Sequence, residues 1–339
     1  MVEDELKTRT ATRIQQAFRT LVAWSFYAAS AARYDVVVYG REHVSAHHPK
    51  IVLSNHKRDL DSVVLAALAF LAQGFTKPNH RLVYALREDA FWPDFLDFYL
   101  HWRSPLRVAG VLRLLKCYPM GYVRSRADLP RIENQLRTFA WLLDHGRDVY
   151  WTPEGGLSMD GRLGRFRAGF DRLVRGSRMP LRILPVAIFY DFTTTGRTRC
   201  SIRFGPELAV DRSLGKSALE EQARMAILRQ TTINAGHLAA AALRDAGAHA
   251  DFTGPALKAA LVGHARRLVR AGLPLDPRLR SRRSFARRID GLLAYLVREG
   301  VLTQSNDILR LALGLNHPGM RYVLNELQEA ESAVRLAPR

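Results

Sequence analysis

Short β-branched runs alternate with longer amphipathic stretches through the first two-thirds of the chain. Tyr34–Tyr39 (YDVVVY), Ile51–Ser54, Arg81–Leu86, Asp148–Thr152, Leu181–Tyr190 and Arg199–Phe204 read as strands, with Tyr122–Arg124 as a shorter candidate. Between them the pattern predicts helices over 1–33, Ser62–Gly74, Arg107–Cys117, Pro130–Gly146, Phe166–Gly176 and Ser213–Leu243. The Pro130 helix stops at a glycine, as helices often do. Strands alternating with helices predict an α/β sheet covered by helices. After about residue 250 no stretch reads as a strand. Pro255–Ala271, Arg282–Arg298, Asp307–Leu313 and Pro318–Glu331 all read as helices. The expected organisation is therefore an N-terminal amphipathic helix (1–34), an α/β domain (35–245) and an extra helical, Arg-rich C-terminal domain (246–339).

The longest uncharged runs, Thr20–Ala32 and Ser62–Thr76, fall short of the roughly 18 apolar residues that a spanning helix needs. The N-terminus carries Glu3, Asp4 and Glu5 rather than a secretory pattern, so the expectation is a cytoplasmic chain. Thr20–Ala32 contains Trp24, Phe26 and Tyr27 between Arg19 and Arg33, which suits a helix lying in a membrane interface. It equally suits an ordinary packed helix.

Composition narrows the classes. Apolar residues make up 47% of the 339, enough for a sizeable core and too many for a disordered chain. Two widely separated cysteines, Cys117 and Cys200, exclude a disulfide scaffold or a cysteine zinc site. The 51 Lys and Arg against 32 Asp and Glu give a net charge of +19, which draws polyanions of any kind.

Candidate chemistry concentrates at strand ends. Asn55-His56-Lys57-Arg58-Asp59-Leu60-Asp61 lies at a strand-to-helix junction. There Asp61 can hold one ring nitrogen of His56 and leave the other as a base. Asp59 reads as a helix cap. Three later segments also lie near strand ends, where α/β sites are built. They are Gly121–Arg126, Thr152-Pro153-Glu154-Gly155-Gly156-Leu157-Ser158 and Ile183–Ile188.

Taken in order, these four segments resemble the blocks of the glycerol-phosphate and lysophosphatidic acid acyltransferases. Those blocks are N-H-x-x-x-x-D, a block ending in Arg, a P-E-G block and a V-P-V-like strand. Val38–Glu42 resembles the stretch before the first, and Asp160-Gly161-Arg162 and Phe166–Gly169 resemble the stretch after the third. The resemblance covers roughly residues 35–210. It implies a mixed sheet flanked by helices and an O-acyltransferase of phospholipid biosynthesis. The donor would be acyl-coenzyme A or acyl carrier protein, as co-substrate rather than cofactor. The acceptor would be glycerol-3-phosphate, its 1-acyl derivative or another lysolipid. His56 and Asp61 would be catalytic, His56 as the general base. Arg126 and Arg124 would bind the acceptor phosphate, Glu154 would organise the acceptor end, and Gly155 would allow close backbone approach. Pro185 would lie beside the acyl donor. No metal is implied. Leu157 stands where many relatives have Arg, which leaves Arg162, Arg165 or Arg167 as substitute phosphate ligands.

The resemblance also implies peripheral association with an anionic membrane at its inner face. Arg278, Arg280, Arg282, Arg283, Arg287 and Arg288 crowd the C-terminal segment. They fit a solvated face, a membrane or carrier-protein dock, or a DNA-binding module; nucleic acid is the disfavoured partner. A silent, regulatory protein on this scaffold is the rival outside enzyme chemistry.

Overall fold

The computed structural model describes residues 13–57, 71, 78–87, 112–193, 196–247, 251–306 and 308–335. Helix α1 (Arg13–Arg33) leads into a sheet of eight strands among the described residues. They are β1 (Asp35–Tyr39), β2 (Lys50–Ser54), β3 (Leu82–Arg87), β4 (Cys117–Met120), β5 (Asp148–Trp151), β6 (Arg182–Asp191), β7 (Arg199–Phe204) and β8 (Leu208–Ala209). Their spatial order is β1-β7-β6-β2-β5-β3-β4, with β8 on the first residues of β6. β6 runs antiparallel to β7 and β8, and all other pairs are parallel. This is a mixed sheet flanked by helices.

Alternation along the central strands feeds two cores. Ile51, Leu53, Val149, Trp151, Ile183, Ala187 and Phe189 face one side. There they meet α2 (Leu129–Asp144), α3 (Gly169–Gly176) and α4 (Lys216–Leu228). Val52, Tyr150, Leu184, Val186, Ile188 and Tyr190 face the other side with Ala23 of α1. Because β2, β5 and β6 are buried on both faces, they read as near-continuous apolar runs.

α1 docks through a buried arginine. Arg19 donates to the carbonyls of His80 (3.0 Å) and Leu82 (2.6 Å) at the start of β3. Leu21, Trp24 and Phe26 of the same helix stay exposed. Among the described residues no helix is long and apolar enough to cross a membrane.

The long helix expected over 213–243 is two helices. α4 stops at Leu228, and α5 (Ala235–Ala246) starts afresh at Asn234. The Asn234 side chain accepts the His237 N–H, and His237 Nδ1 accepts the Asn234 N–H. A reciprocal cap of this kind starts a helix inside an apparently continuous pattern.

The second difference lies after residue 250. α6 (Gly254–Arg270), α7 (Arg282–Arg298) and α8 (Pro318–Arg335) match the expected helices, but three strands join them. β9 (Asp251–Thr253), β10 (Leu302–Ser305) and β11 (Ile308–Leu311) form an antiparallel sheet in the order β10-β11-β9. Over Ile308–Leu311 the helix expected at Asp307–Leu313 is instead strand β11. Strands of three or four residues are too short for alternation to show, and pairing decides them. Likewise, the short strand expected at Tyr122–Arg124 lies instead at β4, just upstream. The apolar core of this part begins at Ile233 and takes in α5.

One ion cluster ties the two parts together. Asp191, at the carboxyl end of β6, accepts two bonds from Arg288 Nη2 (2.7 and 2.9 Å) and one from Arg278 (3.2 Å). Thr193 completes it at 2.8 Å. Burial alone would raise the Asp191 carboxyl; Arg288, Thr193 and Arg278 together hold it below the usual carboxylate range. Two of the six clustered arginines therefore point inward at a carboxylate. Arg280, Arg282, Arg283 and Arg287 remain exposed.

Candidate active site

β2 ends in the middle of the sheet, and the next three residues each make a different connection. Asn55 continues the pairing to β6 with its side chain. Its amide donates to the Ile188 carbonyl (3.0 Å) and accepts the Ile188 N–H (2.8 Å). Two backbone groups that would be orphaned where β2 leaves the ladder are satisfied this way. Asn55 itself is buried.

His56 is held by its backbone on both sides. Its N–H donates to Glu154 Oε1 at 2.9 Å, and its carbonyl accepts the Ser158 N–H at 2.8 Å. Glu154 and Ser158 belong to the loop that follows β5, the neighbour of β2. The first and third sequence blocks are therefore locked together around the histidine, at the carboxyl ends of adjacent parallel strands.

Glu154 bridges two loops. Its second oxygen accepts the Gly164 N–H at 2.8 Å, and its own carbonyl accepts Arg167 Nε at 3.2 Å. Burial pushes its carboxyl above the usual range. Bonds from Gly164 and His56 and the charge of Lys57 oppose that rise. Gly155 has φ +63° and lies so close to Arg167 that an added Cβ would sit 3.1 Å from Arg167 Cγ. The glycine thus lets the Arg167 side chain fold over the turn.

Lys57 turns into the protein. It is buried, donates to the Gly161 carbonyl (2.7 Å) and pairs with Glu326 of α8 (3.2 Å). Its ammonium also lies over the rings of Phe189 and Tyr322.

Beside this framework opens a cavity of about 450 Å³. Leu86, Met120, Tyr122, Leu136 and Trp151 supply apolar walls. Gly155, Arg167 and Arg172 line it as well. An apolar slot with two guanidinium groups suits an amphiphile that carries a negative charge.

The remaining expected site residues are placed as follows. Arg124 and Arg126 lie on an exposed turn held by Asp128, which accepts the Arg124 and Ser125 N–H groups (3.0 and 2.9 Å). Neither lines the cavity. Of the substitutes, Arg167 does, while Arg162 and Arg165 are exposed. Pro185 is buried inside β6 opposite Leu53, short of the strand's carboxyl end. Its missing N–H falls where β6 passes from β8 to β7, and its carbonyl accepts the Gly205 N–H at 2.8 Å. Asp61 lies outside the described residues, as do Asp59 and the aromatic stretch Ala90–Trp102. Sequence reasoning assigned no role to Asn55, Lys57, Ser158 or Gly164. Only their position in or beside the blocks could have marked them.

A family model described as Acyltransferase matches residues 35–189. Those residues form an acyltransferase-family domain. The match runs from the start of β1 to Phe189, near the end of β6, and contains all four blocks. Among solved structures, the chain is similar to the 1-acyl-sn-glycerophosphate (LPA) acyltransferase PlsC from Thermotoga maritima. The identity is 17% and the TM-score 0.43, over 67% of this chain and 85% of that one. No curated protein sequence matches the chain at a significant level.

Proposed function

We propose that the acyltransferase domain moves a fatty acyl group from coenzyme A or acyl carrier protein to a hydroxyl of glycerol-3-phosphate or 1-acylglycerol-3-phosphate. His56 takes the proton from that hydroxyl as its oxygen attacks the thioester carbonyl. The tetrahedral intermediate then collapses to the ester. The departing thiolate takes the proton back from His56. Asp61 orients the imidazole. Electrostatic help for the acceptor phosphate comes from the arginines around the turn and the cavity, Arg126, Arg124 and Arg167, whose planar forks suit phosphate oxygens.

The observation that carries this reading is the double backbone anchorage of His56 by Glu154 and Ser158. A base must be held within tenths of an ångström of its proton. The apolar cavity beside Gly155 supports an acyl or lysolipid substrate. Exposed Leu21, Trp24 and Phe26 on α1 support attachment to an anionic bilayer surface at the cytoplasmic face.

The test is product identification. Purified protein is incubated with palmitoyl-coenzyme A or palmitoyl carrier protein and either acceptor, and the lipids are resolved by mass spectrometry. Lysophosphatidic acid from glycerol-3-phosphate, or phosphatidic acid from its 1-acyl derivative, supports the reading and names the acceptor. Product with neither acceptor contradicts it.

A further inference from the structure

Helix α8 presents Tyr322, Asn325, Glu326 and Glu329 at i, i+3, i+4 and i+7, one face of a helix. Every one of them meets Lys57 or the 160–164 loop. Asn325 Nδ2 donates to the Asp160 carbonyl at 2.8 Å. The Leu163 N–H donates to Glu329 Oε2 at 2.5 Å. The Tyr322 carbonyl lies so close to Gly161 that an added Cβ would stand 2.2 Å away, and Gly161 has φ +86°. Glu326 takes Lys57 on one oxygen and His237 Nε2 on the other, at 3.2 and 3.3 Å. His237 Nδ1 already accepts the Asn234 N–H, so its proton sits on Nε2 and points at Glu326.

This face is connected to the histidine. Lys57 follows His56 directly and bonds the Gly161 carbonyl. Gly164, one residue past Leu163, donates to Glu154, which in turn holds the His56 N–H. We propose that α8 is a positioning element of the catalytic site: the Tyr322–Glu329 face holds the 160–164 loop and Lys57 so that Glu154 and His56 stay in register. The C-terminal part is then built into the active site and is not merely appended to it. This inference rests on the proposed acyltransferase chemistry.

The energetics favour a geometric role. Lys57, Glu326 and His237 are all buried, and a buried ion pair contributes less to stability than apolar residues of the same size often would. What such a cluster supplies is one defined arrangement.

Two full-length variants test it, Glu326→Gln and Asn325→Ala. The first keeps the size of the side chain and removes the charge opposite Lys57. The second leaves the buried charges alone and removes the Asp160 clamp with the long Arg162 bond to the same amide, so it stays informative if the first fails to fold. Two readouts are taken, kcat and KM for acyl transfer and hydrogen exchange over residues 158–164. The inference predicts kcat lower by about tenfold or more, with both KM values changed much less, because misplacement costs turnover rather than binding. It also predicts faster exchange over 158–164 in both variants. Unchanged kcat and unchanged exchange in either folded variant overturn it. If the wild-type protein turns over no donor–acceptor pair, the chemistry fails, and the exchange readout alone still decides whether α8 holds the loop.

Discussion

The carboxylate of Glu154 accepts the backbone N–H of His56 at 2.9 Å, while its other oxygen accepts that of Gly164 at 2.8 Å. One side chain thus fixes the histidine backbone and the loop that packs against α8. Glu154→Gln keeps one oxygen for these two donors and turns an amide N–H toward the other. The expected result is a fall in kcat of about 10²-fold, as for an ångström of misplacement, with the fold retained. Initial rates and circular dichroism check it.

Glu154 also predicts a pH signature. Burial raises its carboxyl above the ordinary range. A raised acid contributes stability that is fully present below the unfolded value and is lost as pH rises through the folded value. Gln at 154 does not titrate. The melting temperature of the wild type relative to Glu154→Gln should therefore fall between acid and neutral pH. A gap that widens with rising pH would contradict the assignment.

Asp191 predicts the opposite slope. Its carboxyl is held low by Arg288, Thr193 and Arg278 against the effect of burial. That stability is present above the unfolded value, about 3.9, and is lost as pH falls through the folded value. Asp191→Ala strands Arg288 in the interior and should cost roughly 3–5 kcal/mol at neutral pH. Asp191→Asn should flatten the acid limb of stability. Denaturant unfolding at several pH values measures both.

Asn55→Asp is a near-isosteric change with an expected large effect. It keeps an acceptor for the Ile188 N–H but sets a carboxylate oxygen against the Ile188 carbonyl. One buried acceptor is left without its donor, at a cost of roughly 1–3 kcal/mol. Asn55→Ala loses both bonds. Both variants should melt lower and turn over more slowly than the wild type.

Gly161→Ala tests the contact between α8 and the loop. A Cβ there would overlap the Tyr322 carbonyl, and the left-handed backbone at φ +86° costs a non-glycine residue roughly 1–2 kcal/mol besides. The expected outcome is a lower melting temperature with a fall in turnover. By contrast, Gly156→Ala should be tolerated, since nothing lies within 4 Å of its Cβ position.

Much of this was legible from the chain. The sheet strands β2, β5 and β6 announce themselves because their apolar runs are buried on both faces, and β1, at the half-buried edge, by its β-branched DVVVY. α7 falls at Arg282–Arg298 as its amphipathic pattern predicts. His56 and Glu154 are marked by residue type in ordered blocks. The rest was hidden for physical reasons. The break between α4 and α5 depends on a side-chain cap, and β9 to β11 depend on pairing. Lys57 carries no mark in the sequence, since the partner that buries it, Glu326, lies at the far end of the chain. Arg278 and Arg288 look like part of a basic surface until Asp191 is placed beside them.

The central claim is that His56 is the base of an acyl transfer. The most direct measurement is the initial rate of thiol release from palmitoyl-coenzyme A with glycerol-3-phosphate or lysophosphatidic acid, for the wild type and for His56→Ala. Acceptor-dependent release that drops by about 10²–10⁴-fold in a folded His56→Ala protein is the predicted result. Comparable acceptor-dependent release by both proteins would contradict it.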